Sequence, residues 1–151
     1  MINEKLKLAG HVSIELKKAD GSVENTEIRN LVVDAGLAYI ASRMVGTGKG
    51  VMTHMALGSS TTPAAAGDTD LGSLLGVREA IDTTTITGSL DEKVEYVCTF
   101  EAGDATGAVT EAGIFNDGTS GDMLCRTVFP VVNKAADDIM TVTWTITLSA
   151  A

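Results

Sequence analysis

In Met140-Thr141-Val142-Thr143-Trp144-Thr145-Ile146-Thr147-Leu148, apolar residues and threonines alternate without a break. A period of two puts Met140, Val142, Trp144, Ile146 and Leu148 on one face of a strand and four threonines on the other. β-Branched threonine suits the pleated backbone and keeps the outer face wet. The same pattern recurs upstream. Val94, Tyr96, Cys98 and Phe100 share a face, and a Thr-rich strand is expected over Val77–Thr87. Val109–Asn116 and Met123–Phe129 flank Asp117-Gly118-Thr119-Ser120-Gly121-Asp122, a hairpin-loop composition.

Near the N-terminus, Val12, Ile14 and Leu16 alternate with His11, Ser13, Glu15 and Lys17 across the segment Leu8–Lys18. Ala19-Asp20-Gly21 supplies a tight turn, and Ser22–Arg29 is polar enough to return as an edge strand. The hairpin 8–29 is a candidate docking element. Over residues 34–45 the period changes to that of a helix. Leu37, Ile40, Ala41 and Met44 are spaced as its buried stripe, with Asp34 placed as N-cap and Gly46 as terminator. Val51–Leu57 reads as a short strand. Gly58–Asp70, rich in small residues, reads as a long surface loop, with one helical turn at Leu71–Leu75. The expected architecture is mainly β, an antiparallel β-sandwich with one packed α-helix, formed by residues 1–151 as a single domain.

The chain has 151 residues, 20 acids against 11 Lys and Arg, and a net charge of −9. A direct nucleic-acid partner is not expected, because displacing condensed counterions requires clustered cations. Met1-Ile2-Asn3-Glu4-Lys5-Leu6-Lys7 is too polar for a secretory leader. No apolar run approaches the roughly 20 residues needed to cross a bilayer. Synthesis in a cytoplasm is the simplest expectation.

Catalytic, metal and cofactor residues are all expected to be none. His11 lies on a polar strand face, and His54 fits a hydrogen-bonded, half-buried histidine. Two Cys and two His, scattered, do not make a zinc site. Cys98 and Cys125 read as buried thiols whose strands could be neighbours, so an internal disulfide stays open. Gly46-Thr47-Gly48-Lys49-Gly50 follows a helix, and Gly50 stands where a phosphate loop needs a hydroxyl. Asp117–Asp122 lacks the order and terminal Glu of an EF-hand and reads as a plain turn. Trp144, Tyr39, Tyr96, Phe100, Phe115 and Phe129 are the only aromatic residues, and most fall on expected core faces.

Five segments together resemble a group of small virion proteins of tailed bacteriophages. They are Asn30–Arg43, Thr53–Leu71, Val109-Thr110-Glu111-Ala112-Gly113-Ile114-Phe115-Asn116, Met123-Leu124-Cys125-Arg126-Thr127-Val128-Phe129 and Thr141–Ile146. The resemblance covers about four-fifths of the chain, in the same order, and its motifs are specific as a set. It implies a non-enzymatic structural protein located in the virion after synthesis in the bacterial host cytoplasm. The implied role is capsid decoration or a neck or collar fibre. The alternative is a tail-fibre or baseplate-associated protein, including a receptor- or glycan-binding module. Implied partners are other virion proteins and further copies of the chain in a homo-oligomer, a trimer first. No membrane or nucleic-acid partner is implied.

Overall fold

The computed structural model describes residues 5–46 and 48–150. Met1–Glu4, weighed above as a leader, and Thr47, in the glycine-rich segment, lie outside the described residues. Among the described residues, nine strands and one helix follow in chain order: β1 (Leu6–Lys17), β2 (Val23–Val32), α1 (Asp34–Met44), β3 (His54–Gly58), β4 (Leu74–Ala80), β5 (Thr83–Thr87), β6 (Lys93–Phe100), β7 (Gly107–Phe115), β8 (Met123–Lys134) and β9 (Ile139–Ala150). The protein is mainly β. All strands pair antiparallel, in the order β4-β3-β7-β8-β2-β1-β9-β6-β5.

The alternating segments become the centre of this sheet. β9 lies between β1 and β6, pairing Trp144 with Val12 on one side and with Tyr96 on the other. Val12, Ile14, Leu16, Met140, Val142, Trp144 and Phe100 are buried, as their spacing requires. The turn at Asp20 also forms as expected. Its carboxylate accepts from the Ser22 backbone N–H at 2.8 Å, and Gly21 takes φ +87°.

Two features curl the sheet. β2 pairs with β1 through Asn30, then passes to β8 with only Leu31 and Val32. Its earlier residues keep a free flank, in keeping with the edge expected for Ser22–Arg29. The expected strand Val77–Thr87 is instead two strands, β4 and β5, at opposite edges of the sheet. Only Ile81 and Asp82 join them. The Ile81 N–H donates to Thr53 O and the Asp82 N–H to Val97 O, each at 2.8 Å, so the two edges meet at this corner. One apolar core fills the curl, with Met55, Leu57, Ile114, Leu124 and Phe129 joining the residues of β1, β6 and β9.

Bulges place the special side chains. In β8, Phe129, Pro130 and Val131 stand opposite Thr110 alone, and Pro130, which has no N–H to donate, sits in that irregularity. In β4, Gly76, Val77 and Arg78 stand opposite Ala56, and Gly76 takes φ +66°. At Leu124 a further register shift frees a carbonyl that accepts from Val33 N–H at 3.3 Å, at the entrance to α1.

The structure corrects several local readings. The apolar stripe Leu37, Ala41 and Met44 faces solvent; Met44 is 84% exposed and Leu37 48%. The packed face is Gly36 and Tyr39, with Ile40 half-buried. The cause is contact distance: a Cβ on Gly36 would lie 2.0 Å from Leu124 O, so the helix rests on β8 through its glycine. Asp34 is the first helical residue, not the cap; Val33 holds the cap position with no side-chain bond. Its carboxylate still suits the positive end of the helix dipole. Gly46 ends the helix as expected, with φ +67°. Leu71–Leu75 forms no helical turn, because Leu74 already opens β4, and β3 starts at His54 rather than Val51. Gly36→Ala is expected to lower stability by about 1–3 kcal/mol through overpacking against backbone. Urea denaturation with a constant m-value would register it as a lower midpoint.

Candidate functional site

The long segment between β3 and β4 is not a free loop. It folds back over the outer face of β3, β7 and β8, where Leu71 and Ala35 pack on Val33, Ala56, Phe115 and Met123. Strict alternation would expose Glu111 and Arg126 on that face. Under the loop they are 0% and 2% exposed.

The Glu111 carboxylate gathers the loop's backbone. Oε1 accepts from Ser60 N–H at 3.1 Å and Ser73 N–H at 2.7 Å, and Oε2 from Gly72 N–H at 3.0 Å. Arg126 donates to the same Oε2 from Nε at 3.0 Å and Nη2 at 2.9 Å. Its remaining reach goes to Asp68 at 2.9 Å and to Thr62 O at 3.0 Å. Thr110 Oγ1 donates to Ser60 O at 2.8 Å. Both ends of the loop are thus tied to adjacent strands through charge-assisted bonds. Chemically this is a fastening: the carboxylate oxygens and the guanidinium are taken up by the protein itself.

Arg78 fastens the next loop. Its guanidinium lies 3.6 Å from the Phe115 ring centroid and donates from Nη1 to Asp117 O at 2.9 Å and Ser120 O at 2.7 Å. Asp70 accepts from Nη2 at 3.3 Å. Within the loop, Asp117 Oδ1 accepts from the N–H groups of Thr119 and Ser120 at 2.9 and 2.8 Å. The plain turn expected for Asp117–Asp122 is what forms, and Asp122 pairs with Lys49 at 3.0 Å. The bonds from Thr119 and Ser120 hold the Asp117 carboxyl down to about 2, from an ordinary 3.8. A depressed carboxyl stabilises the folded state above its unfolded value, and the contribution is lost as pH falls through the folded one. The turn is therefore expected to stay intact down to pH 4 and loosen between pH 4 and 2, seen as coupled shifts of the Asp117 carboxyl carbon and the Thr119 amide by NMR.

The other singled-out residues do not converge. His11 is exposed, 2.9 Å from Glu27. His54 is half-buried with Nδ1 2.8 Å from Thr53 Oγ1, as its sequence context suggested. Cys98 and Cys125 are both free and buried, on β6 and β8, which are not neighbours in the sheet, so the open disulfide does not form. Burial pushes the Cys98 thiol up to about 12 and Cys125 well above the ordinary range. Both are expected to ignore Ellman's reagent at pH 8 in the native protein and to react as two thiols in denaturant. All six aromatic side chains are buried, at no more than 8% exposure.

Sequence reading singled out neither Glu111 nor Arg126 as a pair, although both stand in quoted segments. A signal was available: Glu111 is the one charge of Val109–Asn116 and Arg126 the one charge of Met123–Phe129, of opposite sign, in mainly apolar segments joined by a short hairpin loop. No helix among the described residues is long and apolar enough to cross a membrane. No protein-family model, curated protein or solved structure matches this chain.

Proposed function

We propose that this chain is a non-enzymatic structural protein of a tailed-bacteriophage virion, an accessory component that decorates or stabilises the capsid or neck. The observation that carries this reading is the use made of Thr110, Glu111 and Arg126. These residues belong to the segments that resemble virion proteins, and they are spent on fixing a surface loop to the sheet. A particle component held in many copies needs rigid, presentable loops more than a reactive group. The glycan-binding alternative finds less support, since sugar platforms need exposed rings and all six aromatics are buried.

In the same reading, the curled sheet is a β-sandwich whose halves, β4-β3-β7-β8 and β2-β1-β9-β6-β5, face each other across the common core. Docking through the hairpin 8–29 would use the free flank of β2, because the apolar face of β1 is already committed to the core. The outward arc of α1, with Leu37, Ala38, Ala41, Met44 and Val45 around the single charge of Asp34, is a second surface suited to burial between copies.

Mass spectrometry and cryo-EM of purified particles test the assignment. The expected result is the chain on the particle in a fixed, symmetric copy number. A soluble monomer in lysates, absent from particles, would overturn it.

A further inference from the structure

Seven of the eleven Lys and Arg residues form no salt bridge among the described residues, and three of these seven gather on one patch. Lys7 and His11 point outward from β1, Arg29 stands beside His11 on β2, and Lys93 lies across β9 from Ala9 through Thr147. Because Ala9, on the same face, is small, the centre sinks into a depression of about 360 Å³ lined by Lys7, His11, Arg29 and Thr147. Lys7 and Arg29 are exposed. Of the acids on this face, Glu27 is occupied by His11 and by Ser13 Oγ at 2.9 Å. Glu95, on the same face as Lys93, lies across β9 from His11 through Thr145, and Asp91 and Glu92 lie in the β5–β6 turn beyond Lys93.

The opposite end of β9 has the opposite sign. There residues 101–106 and 135–138 form two loops joined by Gly103 N–H to Ala136 O at 2.7 Å, and by Lys134 Nζ to Glu101 O at 2.8 Å. Glu101 and Asp137 are exposed, Asp104 is half-exposed, and none of the three is in a salt bridge among the described residues. Lys134 is itself buried, and that burial draws its pKa down. Lys17 is the nearest outward cation on the sheet, at the end of β1 beside Ile139. The charge of Asp104 also reaches Glu79, whose pKa is raised by its own burial first and by Asp104 second.

We propose that copies of this chain associate head to tail, the Glu101/Asp104/Asp137 double loop of one seated on the Lys7/Arg29 depression of the next, with Lys93 at its side. This rests on the multi-copy reading above and names its interface. Two copies that each carry −9 repel at large, so a contact between them has to match unlike patches. The two patches lie toward opposite ends of β9, about 30 Å apart at roughly 3.3 Å per residue. A contact between different surfaces is heterologous, and it closes into a ring when the rotation between copies allows.

The test is a charge swap followed by light scattering and sedimentation in 50 and 500 mM NaCl. The wild-type chain is expected to be oligomeric in low salt and to dissociate in high salt. Lys7→Glu with Arg29→Glu, or Glu101→Lys with Asp137→Lys, is expected to weaken association by on the order of a hundredfold. An equimolar mixture of the two double variants should reassociate, because each then presents what the other lacks. Circular dichroism checks that these exposed substitutions leave the fold intact. A wild-type monomer in low salt overturns the interface, as does an oligomer whose mass ignores salt and both variants. In the second case the multi-copy reading survives, since that reading is judged by the chain's presence on particles.

Discussion

Replacing Glu111 with alanine is expected to lower the stability of the protein by about 3–5 kcal/mol, the usual cost of stranding one member of a buried ion pair. Three effects add. Arg126, 2% exposed, loses the fully buried one of its two carboxylate partners and keeps only Asp68. The N–H groups of Ser60, Gly72 and Ser73 lose their acceptor. The loop then uncovers the apolar outer face on which Leu71 rests. Since a domain commonly has only about 5–15 kcal/mol in hand, such a loss is large. Denaturant titration measures it, and limited proteolysis should find new cleavage within residues 59–73. The double variant Glu111→Leu, Arg126→Met separates charge from packing. It removes both desolvated charges and should recover part of the loss, while leaving the loop less ordered than in the wild type. Wild-type stability in Glu111→Ala would show that the pair fastens nothing.

Trp144→Ala is expected to cost about 3–5 kcal/mol, the range for removing a large buried aromatic. The indole is fully buried on the central strand, between Val12 of β1 and Tyr96 of β6. Its removal opens a cavity where strands from both sides converge. Trp144→Phe should be much milder, about 1–2 kcal/mol, because it keeps an aromatic filler. It also removes an indole Nε1–H that has no partner among the described residues, a buried donor that itself carries a cost. Equal losses in the two variants would mean that the indole nitrogen matters in a way the packing does not account for.

Strand content was legible because alternation is a direct record of a face between core and water. It held for β1, β6 and β9, where one face is buried and the other is wet. It served less well for β7, whose second face is also buried because residues 59–73 cover it. A loop's composition of small residues says that it is not a strand; it does not say what it lies against. The helix shows the same limit. Its 3.6-residue spacing located α1, but the stripe with the most apolar surface faces out, since close approach to Leu124 favoured the face bearing Gly36.

The sequence by itself determined a mainly β chain, the turns at Asp20-Gly21 and Asp117–Asp122, the helix and its glycine stop, and the residues of the central core. These are local matters of period, φ preference and side-chain size, each readable within a dozen residues. Tertiary structure alone decided that β4 and β5 are one bent segment closing the sheet and that Glu111 meets Arg126 beneath a distant loop. It alone also set unlike charges at the two ends of β9. Each depends on which segments become neighbours, and pairing between residues far apart in the chain leaves no periodic trace in either of them.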